Sequence, residues 1–487
     1  VQLVLRDAEG KQLTKAQLLE RLGEPKFQDY DTAPAKDKHD VDVLRGWTMG
    51  KTKPITDYVW ADRVNDDGSI NLKKVENKTN GANWIVAVNN FPELVGLDYE
   101  FQVTENGKLV GDTNGDKILQ PEERKATPFN DPYDSKISAR PGSGRNTLIK
   151  ESSFVPQYQD APRMETDPMR YSIYEVHPGS FMGSKDNTLP GTFETFINNL
   201  EYIKSLNVNT IELLPTSECG GKREWGYTPD HFFAGADAYA FEMKRDDAVA
   251  HGLIRPDENI GQESVYINGT DATRFAVDQA HKKGFNVIGD VVYNHTSGRP
   301  DGDNPLWDVD GDKRTYFKWN GTHESNTPWG AKPNFGAAGV KDFVTNHSVE
   351  QIKAMGYDGI RYDFAQVLHN TGDAGEQIEG MKALRQINRT LQAVQPGTYT
   401  VAEDFTRNWL VAADLDRGQN QWGVEKKGMG FGGVWTDRFR LDTFGVAEHN
   451  KQFNMDSLME ALTCHVGVTD FSRAVVYAHS HDEVGNS

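Results

Sequence analysis

The sequence predicts an α/β protein, a parallel (β/α)8 barrel of the TIM type preceded by a small β-sandwich. Three observations lead to this prediction. Apolar segments alternate with helical segments from residue 171 onward, polar residues follow several of the apolar segments, and the first 165 residues have a different pattern. Repeated strand–helix units imply a parallel sheet. Seven such strands indicate an eight-stranded barrel, whose functional groups lie at the C-terminal ends of the strands.

The N-terminal region is predicted to be a separate module. Short alternating stretches at 84–88 and 99–103 are separated by Asn, Gly and Pro, which is typical of a β-sandwich. Residues 139–145 contain Gly and Pro and are expected to form a loop or linker. The predicted domains are therefore 1–165 and 166–487.

The second region contains seven predicted strands separated by helices. The strands are expected at 171–177, 208–215, 286–293, 358–364, 399–403, 433–436 and 474–480. The helical stretches include 193–206, 272–283 and 344–355. An eighth strand is not apparent before Ser487, and a barrel of seven strands would leave two edges unpaired. We therefore expect a further C-terminal segment, or a bound fragment, to complete an incomplete barrel.

Size and composition restrict the classes of function. Of the 487 residues, 37% are hydrophobic and 26% are charged, which is typical of a globular protein and excludes a disordered one. No apolar run approaches the ~20 residues of a membrane span. The formal charge of −19 argues against a nucleic-acid partner, because phosphate repels an acidic surface. The start at Val1, without a signal-peptide pattern, fits either a processed, exported protein or a trimmed piece.

Four segments end a strand-like apolar run with polar residues suited to breaking an acetal bond. They span residues 290–295, 359–364, 401–405 and 479–483. Acetal cleavage takes two carboxyl groups, one as nucleophile or base and one as acid. Because successive strands would deliver these groups to one rim, the segments predict a glycosidic site. The alternative is a buried ion pair at each strand end, which would explain any one motif alone but not four in order.

In this order the four segments resemble the signature regions of the α-amylase superfamily, glycoside hydrolase family 13. The resemblance implies that Asp363 is the nucleophile of a covalent glycosyl-enzyme and that Glu403 is the general acid and later the general base. The role of Glu403 requires burial to raise its pKa. Asp482 would be the third carboxylate, which grips substrate hydroxyls. Retention of stereochemistry predicts that the carboxyl groups of Asp363 and Glu403 lie ~5–5.5 Å apart.

The same resemblance implies further substrate-binding residues. His295 and His481 are expected to hydrogen-bond the same sugar, and Asp290 to support the constellation. Arg361 lies two residues before Asp363 and points to the same side of the strand. Its positive charge is expected to keep Asp363 ionised, because an adjacent cation lowers the pKa of a carboxyl group.

Trp225, Gly226 and Tyr227 follow the second predicted strand. In relatives a tyrosine here stacks on the sugar beside the scissile bond, so Tyr227 and Trp225 are candidate substrate contacts, with core packing as the alternative. Asn294 is a calcium ligand in many α-amylases. Branching-type relatives keep this asparagine without the metal, so we expect a hydrogen-bonding role.

The subgroup and the reaction stay open. Residues 174–181 and 211–215 resemble glycogen branching enzymes and maltooligosyltrehalose trehalohydrolases, and residues 130–133 resemble the exit of their starch-binding-like N-terminal module. The resemblance implies a retaining hydrolase or transglycosylase that acts on α-1,4/α-1,6-linked glucans such as starch, glycogen or maltooligosaccharides. The alternatives are a branching enzyme proper, a non-catalytic carbohydrate-binding barrel, or an inert chain, because loop shape at the rim chooses the acceptor and no motif encodes it.

Residues 112–123 resemble a calcium loop. Asp112, Asn114 and Asp116 place oxygen donors at the first, third and fifth positions, and Ile118 and Glu123 are further candidate ligands. The glycine usual at the sixth position is absent, and a polar hairpin turn is the alternative. The expected chemistry requires no cofactor, so a bound Ca²⁺ would be structural.

Overall fold

The protein is described by a computed structural model. In the N-terminal part the structure describes residues 2–7, 11–22, 65–67, 69–71, 73–77, 81–85, 97–102, 104–105, 108–109 and 146–147. Beyond it, the structure describes residues 152–183, 190–219, 225–229, 231–296, 326–371, 373–415, 428–437, 439–441, 455–456, 459 and 471–485. The chain divides into two compact units: Val1–Glu151 with Pro305–Asp312, and Ser152–Asn304 with Lys313–Ser487.

The described part of the first unit is mainly antiparallel. Its four-stranded sheet has the spatial order Ile70–Asn71, Gln2–Arg6, Asp98–Gln102 and Asn146–Thr147. Two hairpins pair Lys73–Asn77 with Gly81–Ile85 and Thr104–Glu105 with Lys108–Leu109, and one helix spans Lys15–Leu22. Val4 and Leu18 are fully buried. The packing of two sheets into a sandwich stays a prediction.

The second unit contains a sheet of seven parallel strands. In chain order these barrel strands are Ile173–Val176, Thr210–Leu213, Asn286–Val291, Gly359–Tyr362, Tyr399–Ala402, Gly433–Thr436 and Ala474–Val476. They are hydrogen-bonded in the same order, each parallel to the next. All seven predicted strands are present, and the sheet is consistent with an incomplete (β/α)8 barrel, which confirms the barrel part of the predicted fold class. The first and the seventh barrel strands lie at its two edges.

The five inner barrel strands are buried almost throughout, whereas the first and the seventh are only partly buried. Ile211, Val287, Ile360 and Val401 are completely buried, as expected for parallel strands between layers of other structure. Six of the seven strands are shorter than predicted, and Gly433–Thr436 has the predicted bounds. At their C-terminal ends the chain leaves the sheet close to the polar residues that follow the apolar runs. Those polar side chains are therefore at the C-terminal rim, where barrel strands deliver functional groups.

Helices and short ribbons connect the barrel strands. The α-helices span Phe193–Asn198, Leu200–Ser205, Arg245–Ala250, Gly269–Lys282, Ala338–Lys353, Gln366–His369, Ala374–Val394 and His481–Gly485, and 3-10 helices span Pro168–Arg170, Asp237–Tyr239 and Phe471–Arg473. Antiparallel pairs join Ser217–Glu218 to His231–Gly235, Phe241–Lys244 to Ser264–Ile267, and Asn326–Thr327 to Gly330–Ala331. None of the helices within the described residues is both long and apolar enough to cross a bilayer.

One helix begins earlier than its apolar pattern indicated. The helix Gly269–Lys282 was predicted to start at residue 272, but the Asn268 side chain accepts a hydrogen bond of 3.1 Å from the backbone N–H of Asp271. This bond satisfies a donor that the first turn leaves free. The cap, and not the apolar periodicity, therefore sets where the helix begins.

A cluster of polar contacts closes the N-terminal end of the barrel around Asp358, which precedes the fourth barrel strand. Its carboxylate accepts hydrogen bonds from Arg163 Nη2 at 3.0 Å, from His281 Nε2 at 2.9 Å and from the backbone N–H of Val287 at 2.9 Å. Arg163 also donates to the carbonyl oxygen of Ala161 at 2.6 Å. We call this group the lower cluster.

Candidate active site

The centre of the C-terminal rim is Arg361, whose side chain is completely buried. Its Nη1 donates to Asp290 Oδ2 at 2.6 Å and to Asp363 Oδ1 at 3.2 Å, and its Nη2 donates to Glu403 Oε2 at 2.6 Å. The guanidinium also lies over the ring of Trp435, 4.6 Å from its centroid. One cation therefore holds three carboxylates that come from three neighbouring barrel strands. We call this group the upper cluster.

Each of the two expected catalytic carboxylates has a second anchor. Asn294 Nδ2 donates to Asp363 Oδ2 at 2.6 Å and to the carbonyl oxygen of the same residue at 2.8 Å. The backbone N–H of Phe364 donates to Glu403 Oε2 at 2.7 Å. Phe364 has a φ of 35°, a left-handed conformation that is unfavourable for a residue with a side chain. This backbone conformation directs the N–H of Phe364, the residue after Asp363, at the carboxylate of Glu403.

Burial governs the protonation of both groups. It raises the pKa of Asp363 to about 6, although Arg361 acts in the opposite direction. It also raises the pKa of Glu403 to about 7, again against the effect of Arg361. The expectation for Glu403 is confirmed. The expectation for Asp363 is wrong in its net direction, because desolvation of a carboxylate outweighs the attraction of a guanidinium shared with other acids.

A loop after the second barrel strand places two aromatic rings beside the carboxylates. Gly226 has a φ of 89°, and a Cβ there would lie 2.2 Å from the carbonyl oxygen of Pro215, so only glycine fits between the two rings. The Tyr227 hydroxyl donates to Asp290 Oδ2 at 2.6 Å. The Tyr227 ring stacks on His481 at 5.0 Å, and the Trp225 ring meets His481 edge-on at 5.6 Å.

His295 lies beneath this loop and is buried. Its Nε2 donates to the carbonyl oxygen of Tyr227 at 2.6 Å, and its Nδ1 contacts Asn294 Oδ1. Burial lowers the pKa of His295 to about 4. Both ring nitrogens have protein partners in this structure, so the expected hydrogen bonds to a sugar stay a prediction. The hydrogen-bonding role expected of Asn294 agrees with its contacts to Asp363.

His481 and Asp482 begin the short helix after the seventh barrel strand. His481 donates its backbone N–H to Glu175 Oε2 at 2.8 Å, and its Nδ1 lies 3.1 Å from Glu175 Oε1. Asp482 Oδ1 lies 3.7 Å from His481 Nε2, and its side chain is 56% exposed. The structure therefore brings together every predicted catalytic and substrate-binding residue, with Asp482 as the most exposed of the carboxylates.

A short hairpin forms another wall of the rim. The backbone N–H of Thr296 donates to the carbonyl oxygen of Ala331 at 3.0 Å, which fixes the hairpin to the end of the third barrel strand. Between its strands, the Trp329 side chain is 52% exposed. Its ring packs edge-on against Phe364 at 5.5 Å and lies 5.8 Å from the ring of His295.

Comparisons with known proteins show what the whole chain is similar to. No family model matches the chain. A malto-oligosyltrehalose trehalohydrolase of Saccharolobus solfataricus is 25% identical over 341 residues, which are 64% of this chain and 50% of that protein. A 1,4-alpha-glucan branching enzyme of Synechococcus is 25% identical over 398 residues, which are 73% of this chain and 45% of the enzyme.

Solved structures have the same fold. A pullulanase from Bacillus acidopullulyticus matches with a TM-score of 0.58 at 18% identity, over 99% of this chain and 49% of that one. A putative alpha amylase from Salmonella typhimurium matches with a TM-score of 0.53 at 18% identity, over 87% of this chain and 60% of that one. These relatives and structural neighbours are α-amylase-family enzymes, and the chain is similar to them in sequence and fold. The chain spans half or less of the length of the trehalohydrolase and the branching enzyme.

Two acidic residues on the barrel strands, within the segments 174–181 and 211–215, were not predicted to take part in the site. Glu175 and Glu212 are paired across the first and second barrel strands. Glu212 is buried, and burial, followed by the charge of Glu175, raises its pKa well above the usual range. An acidic residue within an otherwise apolar strand could have indicated a site residue. Only the register of the two strands shows that the two carboxyl groups are neighbours.

The predicted calcium ligands lie outside the described residues. These are Asp112, Asn114, Asp116, Ile118 and Glu123. Within the described ranges, no group of three or more His, Cys, Asp or Glu side chains could hold a metal ion. Calcium binding at residues 112–123 therefore stays a prediction.

Proposed function

We propose that this chain carries the catalytic site of a retaining glycoside hydrolase or transglycosylase that acts on α-1,4/α-1,6-linked glucans. Asp363 is the nucleophile, Glu403 is the general acid and base, and Asp482 binds substrate hydroxyls. The observation that carries the proposal is the shared contact of Arg361 with Asp363 and Glu403. It fixes two carboxyl groups side by side at the rim of the barrel.

The protonation of the two carboxyl groups supports these roles. A nucleophile must be ionised and a general acid must be protonated at the same pH. Burial raises the pKa of both groups toward neutrality, to about 6 for Asp363 and about 7 for Glu403. Near neutral pH the pair therefore exchanges a proton readily, and the proposal assigns the carboxylate to Asp363 and the acid to Glu403.

The reaction follows from this assignment in two steps. A carboxylate oxygen of Asp363 attacks the anomeric carbon while the glycosidic bond breaks, and Glu403 gives its proton to the departing oxygen. Glu403 then removes a proton from water or from a sugar hydroxyl, whose oxygen attacks the anomeric carbon and releases Asp363. The choice between water and a sugar separates hydrolysis from glycosyl transfer.

The substrate class rests on the relatives. The branching enzyme is named for its action on 1,4-alpha-glucan, and the matched pullulanase and trehalohydrolase are also named for their substrates. The exposed Trp329 and the partly exposed Trp225 give the rim apolar surfaces that suit the C–H faces of sugar rings. An α-linked glucan fits both observations.

The covalent intermediate is the sharpest test of the proposal. A glycosyl fluoride has a leaving group that needs little protonation, so the Glu403→Gln variant should still be glycosylated by it but should release the sugar slowly. Peptide mass spectrometry should then find the added glycosyl group on the peptide that contains Asp363. The Asp363→Asn variant is the matched control and should carry none. Glycosylation elsewhere, or equal loss of reaction with natural glucans and the fluoride, would contradict the roles.

The products of the intact protein identify the acceptor. Maltoheptaose and amylose should give new reducing ends if water is the acceptor. Shorter branches without new reducing ends would indicate a branching enzyme. Binding of the glucans without any product would favour a non-catalytic carbohydrate-binding barrel and would overturn the proposal.

A further inference from the structure

Glu175 connects the two edge strands of the barrel sheet. It lies on the first barrel strand, and both of its carboxylate oxygens contact His481, which follows the seventh. Oε2 accepts the backbone N–H of His481 at 2.8 Å, and Oε1 lies 3.1 Å from the ring Nδ1. A single carboxylate therefore fixes both the main chain and the ring of this histidine.

Aromatic neighbours fix the plane of the His481 ring. Tyr227 is stacked on its face at 5.0 Å with an interplanar angle of 15°, and Trp225 meets it edge-on at 5.6 Å. With Nδ1 directed at Glu175, Nε2 lies on the side of Asp482, 3.7 Å from its Oδ1. Both ring nitrogens thus face carboxylate oxygens, an environment that favours a proton on each.

We propose that Glu175 is a positioning residue that holds His481 as an imidazolium, with the Nε2–H directed to the sugar hydroxyl that Asp482 also binds. This inference rests on the proposed function for the identity of the sugar. A charged N–H donor forms a shorter and stronger hydrogen bond than a neutral one. Glu175 itself does not touch substrate and acts only through His481.

The other charges around His481 agree with a protonated ring. Burial lowers the pKa of His481, but the hydrogen bond and charge of Glu175 outweigh it, and the net direction is upward. Among the described residues, the titratable and charged groups that interact with the ring are Glu175, Tyr227, Asp290, Arg361, Asp363 and Asp482. Four of these six are acids and one is a cation, so the surrounding charge favours the imidazolium.

Titration of His481 tests the inference without any need for activity. NMR of the histidine-labelled chain, with His481→Asn to assign the resonance, should show the His481 pKa falling by at least one unit in Glu175→Gln, a tenfold weaker proton affinity. In Glu175→Asp, which keeps the negative charge, the pKa of His481 should fall by less. Glu201→Gln is the control, because Glu201 is an exposed carboxylate that pairs with Lys283. An unchanged His481 titration in Glu175→Gln would overturn the proposal.

A double-mutant cycle tests whether Glu175 acts through His481. Glu175→Gln should lower kcat/KM for maltooligosaccharides about tenfold in the wild-type background and by less than twofold in the His481→Asn background. Additive losses would mean an independent, structural role and would overturn the inference. If the chain turns over no glucan, the proposed function fails, while the NMR titration still decides whether Glu175 controls the charge of His481.

Discussion

The two ends of the fourth barrel strand carry aspartates with opposite pKa shifts. At Asp358, in the lower cluster, burial raises the pKa, but His281 and Arg163 outweigh it and the net shift is downward. At Asp363, in the upper cluster, burial prevails over Arg361 and the pKa rises to about 6. The side chains are similarly accessible, 21% and 13% exposed, so exposure does not explain the difference.

The ratio of acids to cations explains it. The carboxylate of Asp358 accepts hydrogen bonds from Arg163, His281 and a backbone N–H. In the upper cluster, by contrast, the single cation Arg361 donates to three carboxylates, those of Asp290, Asp363 and Glu403. The lower cluster therefore stabilises an ionised carboxylate and with it the fold. The upper cluster keeps carboxyl groups whose protonation changes near neutral pH, as acid–base chemistry requires.

The largest expected effect is on turnover in the upper cluster. Glu403→Gln should lower kcat for natural glucans by about 10²- to 10⁴-fold, because it removes the general acid. It should not lower the melting temperature at pH 8. Folding raises the pKa of Glu403 to about 7. Above its unfolded-state pKa this carboxyl group therefore lowers the stability of the folded state, and the loss is complete once the pH is above 7. Glutamine does not ionise and avoids this loss. A clear loss of stability at pH 8 would contradict the comparison.

The matched change in the lower cluster should have the opposite result. Asp358→Asn should lower the free energy of unfolding by about 3 kcal/mol, measured by urea denaturation at pH 7, because Arg163 and His281 lose their partner. The folded variant should keep its kcat. Because folding lowers the pKa of Asp358, the difference in stability from wild type should shrink as the pH falls through the range in which this carboxyl is protonated. A large fall in kcat would show that the two clusters are not separate in function.

The pH profile sharpens the assignment within the upper cluster. A plot of kcat/KM against pH should be a narrow bell, with limbs near the pKa values of about 6 for Asp363 and about 7 for Glu403. The two groups raise each other's protonation, so the limbs belong to the pair. In Glu403→Gln, assayed with a glycosyl fluoride, the alkaline limb should disappear. Its persistence would assign that limb to another group.

The smallest effect is expected at the rim. Trp329→Ala should weaken maltooligosaccharide binding about threefold to tenfold, since an aromatic contact contributes about 0.5–1.5 kcal/mol. Trp329→Phe, which keeps an aromatic ring, should weaken binding by less. Tyr266→Ala is the control, because Tyr266 is a similarly exposed aromatic residue on another ribbon, 58% accessible. Isothermal titration calorimetry measures both, and equal losses in Trp329→Ala and Tyr266→Ala would contradict a sugar contact at Trp329.

Much of the barrel could be predicted from sequence because its signals are local. Each barrel strand is a short apolar run, and each of Asp363, Glu403 and Asp482 follows such a run, so strand order alone brings them to one rim. The division of Arg361 among three acids could not be predicted. It depends on which side chains face the same point inside the barrel, and this reversed the expected shift in the pKa of Asp363.

Contacts between segments far apart in the chain could not be predicted from the sequence either. The contact of Glu175 with His481 joins residues 306 positions apart, and no spacing rule relates them. Trp329 lies in a hairpin whose position is set by a backbone bond to Thr296. Contacts that depend on the folding of distant segments were therefore missed, whereas residues within one motif could be placed on the rim from the sequence.

Phe364 combines an unfavourable backbone conformation with two contacts at the rim. Its left-handed φ of 35° costs on the order of 1–2 kcal/mol, which glycine would avoid. Glycine would also remove the ring that supports Trp329 and would loosen the backbone N–H that holds Glu403. A substitution to glycine would therefore relieve the backbone at this position and at the same time weaken the support of Trp329 and of Glu403.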